Sequence, residues 1–163
     1  MIRLIFLFLV LSLSSCATDT LMKDNQCVLN WETEEFTCHK KSTGRIFYTG
    51  EMIFVNEVSY KHGIGKEFYE NGSVYEGAFE YGVRNGMGKY IFPSIASCTS
   101  LWKEDKQYGD VTCEYFEEER GHFRKGATDG AGNWDGETVY TFPNGKKIFE
   151  LWENGILVNK LNK

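Results

Sequence analysis

The chain repeats itself about every 23 residues, and that period limits what it can fold into more than any other feature. Tyr75-Glu76-Gly77-Ala78-Phe79 is followed by Gly82 and then by Asn85-Gly86-Met87-Gly88-Lys89-Tyr90. Advancing 23 positions carries Phe79 to Trp102, Gly86 to Gly109, Tyr75 to Cys98 and Tyr90 to Cys113. The same step backward carries Gly86, Gly88 and Lys89 to Gly63, Gly65 and Lys66. A fixed period of this length means one small unit stacked on copies of itself. Such arrays present extended binding surfaces.

Within a unit the alternation is that of a strand. Tyr75, Gly77 and Phe79 face one way, and Glu76, Ala78 and Glu80 the other. Gly88-Lys89-Tyr90-Ile91-Phe92 reads as the returning strand, with Tyr81 to Met87 as a glycine-rich turn between the two. A bare Gly77 lets a neighbouring ring lie flat across the sheet. This small position recurs as Gly50, Gly77, Ser100 and Gly121; the large apolar position two residues on recurs as Met52, Phe79, Trp102 and Phe123. The last unit has Trp152 and Asn154-Gly155, but Glu150 fills its small position, which suits a terminal cap whose outer face meets water. Thr43-Gly44, Asn71-Gly72 and Asn144-Gly145 mark links between hairpins. Gly126 to Gly132 reads as an inserted loop.

The N-terminus speaks of location. Arg3 precedes the apolar run Leu4 to Leu11, with Ser12, Ser14 and Ser15 beyond it. That run is too short for a membrane-spanning helix and has the layout of an export signal, expected as a helix that is removed. Leu13-Ser14-Ser15-Cys16 resembles the bacterial lipobox. The resemblance implies cleavage after residue 15 and diacylation of the Cys16 thiol. The alternative is an ordinary signal peptide cut later, which would discard Cys16. In the lipobox reading residues 1–15 are the signal, 16–26 a lipidated linker and 27–163 the repeat array. Two or three acyl chains hold a protein on a membrane where one does not. Residue 17 is Ala rather than Asp, which by the same resemblance favours the outer membrane over the inner.

Without Arg3 the chain has 17 basic and 23 acidic side chains, a net charge of −6. That argues against nucleic acid and against tight binding to anionic headgroups. Cys27, Cys38, Cys98 and Cys113 remain after Cys16, an even number suited to an oxidising compartment. Cys98 and Cys113 stand where the preceding unit has Tyr75 and Tyr90. Two equivalent positions changing together implies cross-strand neighbours. Cys27 and Cys38 flank another hairpin. The expected disulfides are Cys27–Cys38 and Cys98–Cys113. His39, His62 and His122 are scattered and no Cys-x-x-Cys pair occurs, so neither metal nor cofactor is expected.

Taken together, Tyr75-Glu76-Gly77, Phe79, Gly82, Gly86, Gly88 and Tyr90 resemble the MORN repeat, as does Phe142-Pro143-Asn144-Gly145. The resemblance covers roughly residues 44–159 and is strongest over residues 75–97. It implies an all-β fold: an elongated single antiparallel sheet of consecutive β-hairpins. Five units would span roughly 50 Å at the usual strand spacing. It also implies protein interaction and, in some members, membrane association.

Catalytic constellations are missing from the sequence. Ser73, Ser94, Ser97 and Ser100 lie outside any nucleophile elbow. Gly63-Ile64-Gly65 and Gly86-Met87-Gly88 belong to the repeat and begin no helix. Glu117-Glu118-Glu119 reads as a solvated charge run. The candidate contact residues are Trp134, Asp129 and Asp135, in and beside the glycine-rich insert, because loops on firm scaffolds carry function. The function expected is a non-enzymatic, lipid-anchored scaffold or binding module of the bacterial envelope with a protein partner. The alternative is recognition of a glycan or phospholipid headgroup. The open edges of the sheet offer self-association.

Overall fold

A computed structural model describes residues 25–116 and 121–161. The signal segment, Cys16 and Glu117-Glu118-Glu119 lie outside the described residues. The described residues form one antiparallel sheet of twelve strands in unbroken chain order. Six hairpins build it: β1 (Asn25–Asn30) with β2 (Glu35–Lys40), β3 (Ile46–Val55) with β4 (Val58–Phe68), β5 (Val74–Glu80) with β6 (Val83–Phe92), β7 (Ala96–Lys103) with β8 (Lys106–Tyr115), β9 (Phe123–Thr128) with β10 (Trp134–Thr141), and β11 (Lys147–Glu153) with β12 (Ile156–Leu161). The hairpin at the N-terminal end adds a sixth unit to the five expected.

The turn within a unit is shorter than the sequence suggested. Tyr81-Gly82 alone connects β5 to β6, and both residues have positive φ, 46° and 92°. Asn56-Glu57, Glu104-Asp105 and Asn154-Gly155 do the same. Two-residue turns of this hand match the twist of the flanking strands. The tips are also tied to their neighbours. Gly82 N–H donates to Lys61 O, Asp105 N–H to Arg84 O, and Gly155 N–H to Trp134 O, at 2.9–3.1 Å.

The residues expected in the turn after Gly82 belong to a bulge. Gly77 pairs with Gly88 and Phe79 with Arg84, which leaves Ala78 alone opposite Asn85, Gly86 and Met87. Extra residues on one strand bend it and increase its twist. Gly86 makes this affordable: its φ is +107°, and a Cβ there would press on Ala78 at 3.0 Å. The register breaks in the same place in three other hairpins, beside Gly63, Gly109 and Gly136. The 23-residue glycine signal is therefore a bulge signal.

One face of the sheet holds the core. Tyr48 lies over the cross-strand pair Gly50–Gly65, and Tyr75 over Gly77–Gly88. Any side chain on Gly65 or Gly88 would run into those rings. Both tyrosines are fully buried. Their hydroxyls donate to the carbonyl opposite the bulge, Tyr48 to Glu51 O at 2.6 Å and Tyr75 to Ala78 O at 3.1 Å. Phe79 stands edge-on to both rings, and Trp102 edge-on to Tyr75. A cation from the preceding hairpin caps each: Lys61 over Phe79 at 4.9 Å and Arg84 over Trp102 at 4.2 Å. A single layer has no second sheet to bury its aromatics, so rings and cations of successive units cover one another.

The disulfides join Cys27 to Cys38 and Cys98 to Cys113, each a directly opposed cross-strand pair. In the unit of β7 and β8, Cys98 replaces the tyrosine and Val111 the glycine beneath it. A second cluster of Ala96, Cys98, Val111 and Cys113 forms there.

Two assignments in the C-terminal part change. The small position of β9 is Gly126, paired with Thr138, and the large position is Thr128. Gly121 precedes the strand against Pro143, and Phe123 is half exposed. The spacing misled because Gly126, Ala127 and Thr128 belong to β9; the loop is only residues 129–133. Glu150 is likewise not a water-facing cap. It is 6% exposed, pairs across the sheet with Thr138 and meets the side chain of Arg124.

Candidate functional site

The loop singled out in the sequence is shaped by Asp129. Its Oδ1 accepts from the Ala131 and Asn133 backbone N–H groups at 2.8 and 3.1 Å, and its Oδ2 from Asn133 Nδ2 at 2.8 Å. The Asn133 side chain, ahead of those N–H groups, holds the carboxyl below its ordinary range. Asp135 Oδ1 accepts weakly from Asn154 N–H at 3.4 Å, tying the loop to the last hairpin tip. Trp134 opens β10 half-buried against the Cys98–Cys113 cluster. The three residues are thus neighbours in one region, with Asp129 occupied in holding its own loop. Among the described residues no group of three or more His, Cys, Asp or Glu is placed to hold a metal ion.

Arg124 takes the tyrosine position of this unit. Its guanidinium lies 4.9 Å from the ring centres of Tyr140 and Trp152, and Nη1 donates to Tyr115 Oη at 2.9 Å. Nε is 3.2 Å from Glu150 Oε2. Thr138 Oγ1 and Trp152 Nε1 point at the same oxygen, at 3.4 and 3.1 Å. Every partner here is internal, so this cluster is structural.

The sheet carries a groove that sequence reasoning missed. It has a volume of about 510 Å³ and lies over β1 to β4 on the core face. The Cys27–Cys38 disulfide, Phe47, Tyr48 and Met52 line its apolar part, and Tyr60 and Tyr69 its walls. It opens where Met52 occupies the position that holds Phe79 and Trp102 in the next two units. Met52 Sδ sits 3.7 Å from Cys38 Sγ. The missing ring was visible in the sequence, but not that its absence leaves a groove.

The groove's inner polar groups are satisfied. Glu67 receives Lys61 Nζ on one oxygen and Tyr69 Oη on the other, both at 2.6 Å. Burial first, then the Glu67 hydrogen bond, pushes the Tyr69 hydroxyl far above its ordinary value. Burial raises Tyr75, farther along the core, to about 12. At the mouth Lys40 Nζ and Arg45 Nη2 converge on Glu70 Oε1, at 2.7 and 3.7 Å, and Arg45 Nη1 donates to Tyr69 O. The Lys40 hydrogen bond, followed by the two positive charges, holds the Glu70 carboxyl below its usual range.

The opposite face carries ordered rows across the strands. Lys66, Glu76 and Lys89 are consecutive cross-strand partners, with Lys66 and Glu76 paired at 3.2 Å. Parallel to them runs an apolar row. Ile64 pairs with Ala78, Met87 with Leu101 and Leu101 with Tyr108. Ile64, Met87, Leu101 and Tyr108 are all exposed, at 44–64%. The bulge sets Met87 beside Ala78 and keeps the row continuous over five strands.

The family model of the MORN repeat matches residues 60–74 and 75–94. These are most of β4 with the turn after it, and the β5–β6 hairpin with the link that follows. The chain therefore carries MORN repeats over β4 to β6, and its remaining hairpins share their geometry with weaker sequence signals. No curated protein matches the chain.

Proposed function

We propose that this chain is a non-enzymatic interaction scaffold of the bacterial envelope, held on the membrane by acyl chains on Cys16 and placed at the outer membrane. MORN repeats generally mediate protein or membrane-lipid binding. One observation carries the protein side of that choice: the row of exposed Ile64, Met87, Leu101 and Tyr108, bridged by the half-buried Ala78 and flanked by the charged row of Lys66, Glu76 and Lys89. An apolar stripe edged by charge is the composition of a protein contact surface. The acidic balance of the chain works against anionic headgroups. Two disulfides and the lipobox-like Leu13-Ser14-Ser15-Cys16 support an oxidising compartment and a tether. The loop at 129–133, with Trp134 and Asp135 at its exit, is a second contact region in this reading.

The test is chemical cross-linking in intact envelopes, followed by capture of the wild-type chain and a Met87→Lys/Leu101→Lys variant. Protein partners captured by the wild type are expected to be lost from the variant while both disulfides stay formed. Recovery of lipid alone, or of the same proteins with both chains, rejects the scaffold. Radiolabelled fatty acid should enter the wild type and not Cys16→Ser; equal labelling rejects the anchor.

A further inference from the structure

We propose that the groove over β1 to β4 binds a single-chain amphiphile with a carboxylate head, and that Glu70 occupies the head position when the ligand is absent. This goes beyond the scaffold reading, which uses the opposite face.

The volume, about 510 Å³, is in the usual range of small-molecule sites, roughly 300–1,000 Å³. Its interior asks for an apolar ligand. Tyr48 Oη is committed to Glu51 O, and Tyr69 Oη and Lys61 Nζ to Glu67. Those groups leave little for the hydroxyls of a sugar. Apart from Asn25 and the buried Ser59, what remains is sulfur and ring surface: the Cys27–Cys38 disulfide, Met52, Phe47 and the faces of the tyrosines. Such polarizable surface accepts an alkyl chain.

The mouth asks for an anion. Lys40, Arg45 and Lys61 bring three positive charges to the groove against two negative ones from Glu67 and Glu70. That local excess is set in a chain whose net charge is −5. Glu67 is bound on both oxygens, so Lys40 and Arg45 are the cations with donors to spare. They already hold a carboxylate, because both reach the same oxygen of Glu70. Glu70 is well suited to leave. Its side chain is 76% exposed and stands in the link after β4 rather than in a strand. A surface pair of this kind is worth little to stability. A ligand carboxylate with its chain in the groove would take the same donors and add apolar burial, while Glu70 returns to water.

The purified full chain, with both disulfides formed, is titrated calorimetrically with monomeric dodecanoate, dodecanol and dodecyltrimethylammonium. Saturable one-to-one binding of dodecanoate is expected, with the neutral and cationic analogues at least about tenfold weaker. Lys40→Ala/Arg45→Ala, at half-exposed positions, should weaken dodecanoate about tenfold, and Glu70→Gln should tighten it about threefold by removing the competitor. No saturable binding, equal affinity for dodecanol, or variants indistinguishable from wild type overturns the proposal. So does binding to phosphatidylglycerol vesicles, or to an acidic peptide, in the absence of dodecanoate binding. Capture of the same proteins by the wild type and the Met87→Lys/Leu101→Lys variant would reject the scaffold and leave this titration unchanged, so the two readings fail separately.

Discussion

The two halves of this sheet solve the same packing problem with different chemistry. In β3 to β6 a tyrosine lies over a pair of glycines, and its hydroxyl reaches the carbonyl opposite the bulge. In β9 to β12 the tyrosine position holds Arg124, the glycine opposite has become Thr138, and the next strand supplies Glu150. Both fill the space above a bent hairpin. The first arrangement fails if anything is added; the second fails if anything is taken away. A ring on bare backbone has no spare volume. A buried ion pair has no spare charge.

The contrast can be broken most severely at the ion pair. Glu150→Ala leaves the Arg124 guanidinium uncompensated among rings and should cost about 4 kcal/mol in denaturant unfolding. Arg124→Met/Glu150→Leu should recover most of that loss, because the apolar pair removes the desolvation penalty together with the attraction. A double variant no better than the single would mean that the cluster is held by shape alone.

Next in size is the boundary between the halves. Cys98→Ser/Cys113→Ser opens a link spanning 15 residues and should lose about 3 kcal/mol. Hydrogen exchange should then show β8 to β12 opening ahead of β3 to β6. Uniform opening would show that the two regions are one cooperative block.

In the tyrosine half the informative change is small. Gly88→Ala puts a methyl group into the Tyr75 ring and should cost about 2 kcal/mol. Gly145→Ala, in the other half between β10 and β11, meets no neighbouring atom and should cost less, its positive φ being the main penalty. Equal losses would mean that the ring moves aside freely.

The smallest effect is electrostatic. Asp105 accepts from Arg84 N–H and Nε, both at 2.9 Å. Burial pushes its carboxyl up, but those hydrogen bonds and the Arg84 charge outweigh it and leave the group below its ordinary range. A depressed carboxyl stabilises the fold above its unfolded pKa, and that contribution fades as pH falls through the folded value. Asp105→Asn should therefore flatten the acid limb of the stability profile below about pH 4 and change neutral stability by less than about 1 kcal/mol. An unchanged acid limb would remove Asp105 from the account.

Much of this was legible in advance. The period, the strand alternation, the all-β ladder and the Cys98–Cys113 pairing follow from residues that recur in phase, and the Cys27–Cys38 pairing from two cysteines flanking one hairpin. The misreadings share a cause. Gly86 reads as a turn residue in the sequence because a glycine before a return strand marks a reversal as well as it marks a bulge. Two of the actual turns, Asn56-Glu57 and Glu104-Asp105, are pairs without glycine. Their positive φ follows from the register that the rest of the sheet imposes. Gly121 and Phe123 matched the pattern by composition while Gly126 and Thr128 occupied the sites, since seven residues separate β8 from β9 where three separate β6 from β7, and the longer link shifts the phase of everything after it.

The sequence alone determined that short strands would pair with their chain neighbours, since every signal needed lies within one or two units. Only the tertiary structure decided what the far sides of those units would share. Arg124 meets Glu150 across two strands, Lys40 and Arg45 meet at Glu70, and Met52 leaves open what Phe79 and Trp102 close. Those meetings depend on how far each bulge bends the sheet. Bending is a sum over neighbouring units, which no single stretch of residues encodes.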